Sequence, residues 1–229
     1  MRMRSSNPVL NHANSYTMIS DQPLTYTNVT VKTLFLLALT AISAFLTIVY
    51  MENVQIWHLI VAAIVAFISV LIGSRSVKLS PYFSIVYAAC EGLVLGVVSL
   101  LYASLYEGII LTAIATTIIV FVVMLLLFST NIIKVNQKFA SFLVVALIGV
   151  IIMSLISIFV SIGDLYYLVV IASAALSAFF LLWDFQRIKE LVDNGADKEL
   201  GWILSLGLMV TIVWIYIEML RLLAIFSRD

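Results

Sequence analysis

The stretch GIILTAIATTIIVFVVMLLLFS, residues 108–129, contains no charged residue and no proline. A helix needs about 20 predominantly apolar residues to cross the hydrocarbon core of a bilayer, and this run supplies them without interruption. Working outward in both directions, six further runs of the same character appear, at 31–51, 56–73, 82–104, 140–161, 165–185 and 202–225. Short polar breaks separate them: Glu52-Asn53-Val54-Gln55, Gly73–Lys78 ahead of Pro81, Glu107-Gly108, Asn131–Ser141, Ser161–Asp164 and Gln186–Glu199. The pattern predicts an all-α polytopic membrane protein. A polar N-terminal segment, 1–28, precedes a seven-helix domain over 29–229.

The whole composition agrees. Of 229 residues, 64% are apolar and 10% are charged, against roughly 45–50% and about 25% in an ordinary soluble domain. Twelve Lys and Arg balance twelve Asp and Glu, so no basic face for nucleic acid is expected. One cysteine, Cys90, cannot build a disulfide framework or a cysteine zinc site. His12 and His58 are too few and too far apart for a metal site. No phosphate-binding glycine loop, nucleophile elbow or paired-histidine zinc motif occurs. Neither enzymatic chemistry nor a tightly bound cofactor is expected. Residues 1–28 lack the apolar core of a signal peptide, so no cleaved leader is expected.

Positive charge sets the expected orientation. With the N-terminus inside, Arg2, Arg4, Lys32, Arg75, Lys78, Lys134, Lys138, Arg187, Lys189 and Lys198 fall on the inner side, and only Arg221 and Arg228 on the outer. The N-terminus is therefore expected in the cytoplasm and the C-terminus outside. Without an organelle address, a bacterial cytoplasmic membrane is the favoured location. The outer turns carry Glu52, Glu107 and Asp164 and no Lys or Arg. This is either simple absence of positive charge or an acidic rim that concentrates cations. Gly92 and Gly96 in the third span, and Ala174 and Ala178 in the sixth, have the small-residue spacing that lets helix backbones approach closely. They are read as contacts within one bundle, and a monomer is favoured.

Acidic side chains inside apolar spans are costly and normally face a bundle interior or a water-filled cavity. Three qualify: Glu91, Asp184 and Glu218. Glu91 lies about ten residues into the third span, roughly 14 Å deep. If the sixth helix continues to about Val192, as Phe185, Ile188, Leu191 and Val192 suggest by their helical spacing, Asp184 lies at a similar depth. Glu218 has Arg221 three residues on, stacked on the same face. It is either half of an intrahelical ion pair or a carboxylate facing a central cavity. Two carboxylates held close in a low-dielectric site cannot both ionise cheaply, so such a pair titrates as a unit and also offers oxygens to calcium.

The runs Leu182-Trp183-Asp184-Phe185-Gln186-Arg187-Ile188 and Ile215-Tyr216-Ile217-Glu218-Met219-Leu220-Arg221-Leu222-Leu223 resemble the last two helices of the Bax inhibitor family, the transmembrane Bax-inhibitor-motif superfamily. Ser5–Leu10 and Tyr87–Gly96 resemble its bacterial branch. The resemblance covers the whole chain and implies six helices around a central C-terminal seventh. It implies a pH-sensitive calcium leak, with calcium as permeant ion, gated by a carboxylate pair on helices six and seven. Carried onto this chain, those positions are Asp184 and Glu218, which would also hold calcium transiently. A family arginine on the second helix approaches the pair, and Arg75 is the nearest candidate here. Helical rise leaves a tension: with the last helix starting at Leu200, Glu218 stands about 27 Å up it, far above Asp184. Either that helix starts later or tilts, or Glu91 is the partner of Asp184.

Two other roles stay open. One is a non-conducting regulatory protein that binds a membrane-bound ATP-dependent protease or another partner, as members of the family do. The other is a proton-coupled cation exchanger, which inverted repeats would favour; no clear internal repeat is found.

Overall fold

Each apolar run becomes one helix, and each polar break becomes a short connection. In the computed structural model, which describes residues 22–50, 55–159, 163 and 165–227, the helices are α1 (Tyr26–Val49), α2 (Ile56–Gly73), α3 (Ser80–Ala103), α4 (Ile109–Ser129), α5 (Gln137–Phe159), α6 (Leu165–Asp193) and α7 (Gly201–Phe226). All seven are long and apolar enough to cross a membrane.

The ends follow local chemistry. α1 starts at Tyr26 rather than at 31 because the Thr25 hydroxyl accepts from the Asn28 N–H at 3.1 Å and caps the helix. Pro81 sits in the first turn of α3, where its missing N–H costs nothing. Gly108 precedes α4 with φ at 72°, a left-handed conformation that glycine adopts freely. α6 runs through Asp184 to Asp193, eight residues beyond the end of its apolar run at 185. Phe185 at the end of the run and Ile188 on the extension are both buried and continue its apolar face.

Burial is uneven in a way that ranks the helices. Half of the apolar window of α7 is buried, against 6% of that of α5. α7 packs on α1, α2, α3, α4 and α6 and is the central element, while α5 leans on α6. Large apolar side chains elsewhere point outward, Phe159 at 85% exposure among them, as lipid-facing positions do.

The closest pair is α1 with α3. A Cβ on Gly92 would stand 2.5 Å from the Thr40 carbonyl oxygen, and one on Gly96 would stand 2.7 Å from that of Ala44. The Thr40 hydroxyl donates to the Ala88 carbonyl at 3.1 Å, and the Ser43 hydroxyl to that of Ala89 at 2.7 Å. Small residues at such contacts let hydroxyls bridge helix backbones where no water competes. Ala174 and Ala178, with Ser173 and Ser177, are buried in α6, whose main partner is α7.

The entry to α1 is tied to the α6–α7 connection. The Leu24 N–H donates to the Ala196 carbonyl at 2.7 Å, and the Lys198 N–H to the Gln22 carbonyl at 3.1 Å. Leu24 itself is buried in a cluster with Leu181, Phe185 and Leu208. The loop Asp193–Lys198 thus serves as an anchor for the end of the polar N-terminal segment.

Candidate functional site

The two acids of the α6–α7 interface stand at different levels, each with its own partners. Asp184 comes nine residues before the end of α6, roughly 13 Å from it. Its Oδ2 accepts from the Thr211 hydroxyl of α7 at 2.6 Å. Glu218 lies seven residues beyond Thr211 on α7, about 10 Å further along the axis. Its Oε1 accepts three donors: the Ser173 hydroxyl at 2.7 Å, the Trp214 indole N–H at 3.1 Å and Arg221 Nη1 at 3.3 Å. Its Oε2 is buried and has no hydrogen-bond partner among the described residues.

An aromatic layer separates the two levels. The Phe180 ring of α6 lies 5.6 Å from that of Trp214 and 5.5 Å from that of Trp183. Above this layer Glu218 lines a cavity of about 490 Å³ between α5, α6 and α7, together with Ser154, Ser157, Ser173, Trp214 and Arg221. The cavity exists because α5 packs on α6 and leaves the flank of α7 open. The side chain of Glu218 is 3% exposed and that of Arg221 is 41% exposed, so the carboxylate is inside while the guanidinium reaches out.

The expected direct pairing of Asp184 with Glu218 does not form. α7 begins at Gly201 and places Glu218 about 26 Å along its length, so the depth argument prevails over the carried-over pairing. The residue at the level of Asp184 is Thr211. The two acids, so placed, do not share one calcium position. No group of three His, Cys, Asp or Glu that could hold a metal ion occurs among the described residues.

Glu91 does not take the partner role either. It is half-buried on α3, whose packing neighbours are α1, α2, α4 and α7, and it makes no hydrogen bond among the described residues. Arg75 is exposed on the α2–α3 turn and pairs with neither acid; the ion pair of the described residues is Arg221 with Glu218. Glu107 is exposed in the α3–α4 turn. Glu52 and Asp164 lie outside the described residues, so the outer rim is represented by Glu107 alone.

Thr211, Ser173 and Trp214 are the site residues that sequence reasoning did not single out. A signal for Thr211 was available: it lies ten residues into α7, at the depth that helical rise assigns to Asp184.

Seven spanning helices with a central last helix and two carboxyls on its interface with the sixth define a polytopic α-helical membrane protein. The chain belongs to the Bax inhibitor 1 like family, whose family model matches residues 7–228. A search of curated proteins returned no match.

Proposed function

We propose that this membrane protein is a passive leak for calcium and other cations, gated by the carboxyls Asp184 and Glu218 at the α6–α7 interface. The observation that carries the reading is Glu218. It is a carboxylate within a spanning helix, lining a cavity, with one oxygen still able to accept. Carboxylates at membrane depth mark ion pathways because their cost must be offset by a function or a partner. Asp184 is a second charge on the same interface, one level along it. On this reading the Phe180–Trp214 ring contact and the Thr211–Asp184 hydrogen bond are what must part for a cation to pass between the two levels.

Protonation of Asp184 removes a charge that a passing cation meets. Flux therefore falls as pH is lowered. Arg187 is the cation whose charge acts on Asp184, and Arg221 holds Glu218. Ten inner against two outer positive residues support an N-terminus in the cytoplasm. The reading calls for no covalent chemistry and no resident cofactor.

Calcium entry into dye-loaded liposomes tests it, at pH 6 and pH 8, for the native chain, Asp184→Asn and Glu218→Gln. Flux that is higher at pH 8 and falls in both variants is expected. Folded protein with no flux above empty liposomes at either pH would overturn the leak.

A further inference from the structure

A second cavity, of about 480 Å³, lies at the opposite end of the bundle from Glu218. It is lined by Asn28 and Lys32 of α1, Lys78 just before α3 and Pro81 in its first turn, and Lys198 and Glu199 just before α7 and Trp202 in its first turn. We infer that this cavity binds the phosphate of an anionic phospholipid headgroup.

Hydrogen-bond capacity is the first argument. Lys32 Nζ donates to Asn28 Oδ1 at 2.8 Å and to the Lys198 carbonyl at 3.0 Å and lies 5.2 Å from the centre of the Trp202 ring, which leaves one of its three N–H groups without an oxygen acceptor. The ammonium groups of Lys78 and Lys198 and the indole N–H of Trp202 have no hydrogen-bond partner among the described residues. Four donor groups thus converge with acceptor capacity wanting, and a phosphate supplies several acceptor oxygens.

Charge points the same way. Three lysines line the cavity against the single acid Glu199. Asp197 acts on Lys32 from outside the lining and itself accepts from the Glu199 N–H at 2.8 Å. The positive N-terminal end of α7 faces the same space and favours an anion further. Basic pockets between spanning helices on the cytoplasmic side are where anionic headgroups seat, and the distribution of positive residues puts this end inside.

The backbone is also shaped for it. Gly201 opens α7 against α1: a Cβ there would stand 2.9 Å from Lys32 Nζ and would collide with Asn28 Oδ1. Glycine lets α1 and α7 close the back of the cavity without filling it. At its rim Trp202 meets the half-exposed Phe35 edge-on at 6.4 Å, giving an acyl chain an apolar wall to leave by. A lipid held here would join α1, α3 and α7 at one end, independently of whether the protein conducts.

Native mass spectrometry of the full-length protein tests this, with phosphatidylglycerol and phosphatidylcholine offered at equal mole fraction. Preferential retention of phosphatidylglycerol is expected, on the order of fivefold per lysine. The preference should vanish in the Lys78→Gln/Lys198→Gln double variant and persist in Lys78→Arg/Lys198→Arg. Both positions are exposed, so neither variant should fail to fold. Equal retention of the two lipids, or a preference unchanged in the glutamine variant, would overturn the inference. Complete displacement of the lipid by millimolar inorganic phosphate would overturn the lipid as occupant and leave a free phosphate site.

Discussion

Thr211 donates its hydroxyl to Asp184 across the α6–α7 interface at 2.6 Å, while Glu218, the acid expected to pair with Asp184, stands about 10 Å further along α7. A hydroxyl can donate to a carboxylate whether or not other groups nearby are charged. A second carboxylate can hold the first only while one of the two keeps its proton.

The exchange Thr211→Asp should therefore create the missing pair and sharpen the pH response. At pH 6 a shared proton would hold the interface closed. At pH 8 two ionised carboxylates would repel and open it. The expected outcome is a larger ratio of calcium flux at pH 8 to flux at pH 6 than in the native chain, read in dye-loaded liposomes. An unchanged ratio would show that Asp184 and residue 211 do not form the constriction.

Thr211→Val keeps shape and removes the donor. Asp184 then loses the one hydrogen bond its side chain makes among the described residues, at a cost of about 1–3 kcal/mol. A lowered Tm in detergent together with raised leak at both pH values is expected. A stable variant with native flux would argue that the contact is incidental.

Ser173→Ala removes the shortest of the three donors to Glu218 and should cost on the order of 1 kcal/mol. The remaining donors, Trp214 and Arg221, keep the carboxylate in place, so flux should change less than in Glu218→Gln. Parallel flux and Tm measurements on the two variants separate charge from positioning. Equal loss in both would mean that the Ser173 hydroxyl, and not the charge, sets conduction.

The glycines give a sharp stability contrast. Gly96→Leu pushes a side chain against the α1 backbone, where even a Cβ would stand 2.7 Å from the Ala44 carbonyl, and should separate α1 from α3. Gly207 has nothing within 4 Å of its would-be Cβ. Gly207→Ala should therefore be neutral or stabilising by up to about 1 kcal/mol from helix propensity. Thermal unfolding of both variants in the same detergent checks the pair.

A deletion separates the leak from a recognition role. Removing residues 1–21 spares Gln22 and Leu24, whose backbone bonds to Lys198 and Ala196 anchor α1. Calcium flux is expected to survive. Loss of flux with the fold retained would assign the N-terminal segment an essential part.

The spans were legible because lipid leaves the backbone one solution, and a run such as 108–129 has nothing else to become. The seam of α1 with α3 was legible too, since Gly92 and Gly96 carry a spacing with a direct steric meaning. The start of α1 at Tyr26 was missed because it rests on a single cap, Thr25, inside a polar stretch. At the site, the acids announced themselves through their cost in apolar surroundings. Their partners did not: Thr211 and Ser173 are small hydroxyls like many others in these helices, and only the placement of α6 against α7 distinguishes them. Glu91 shows the converse. Depth alone put it level with Asp184, but depth says nothing about which helices are neighbours.

The slight burial of α5 bears on how the chain assembles. Of the seven spans α5 is the least buried, exchanging lipid for protein along little more than its seam with α6. Docking it should be the last and most weakly held step of assembly, and undocking it the first step of unfolding. Its amides should then exchange with solvent deuterium sooner than those of α3 or α7. The wall of the Glu218 cavity would be the part of the molecule that a change in the surrounding bilayer moves most easily.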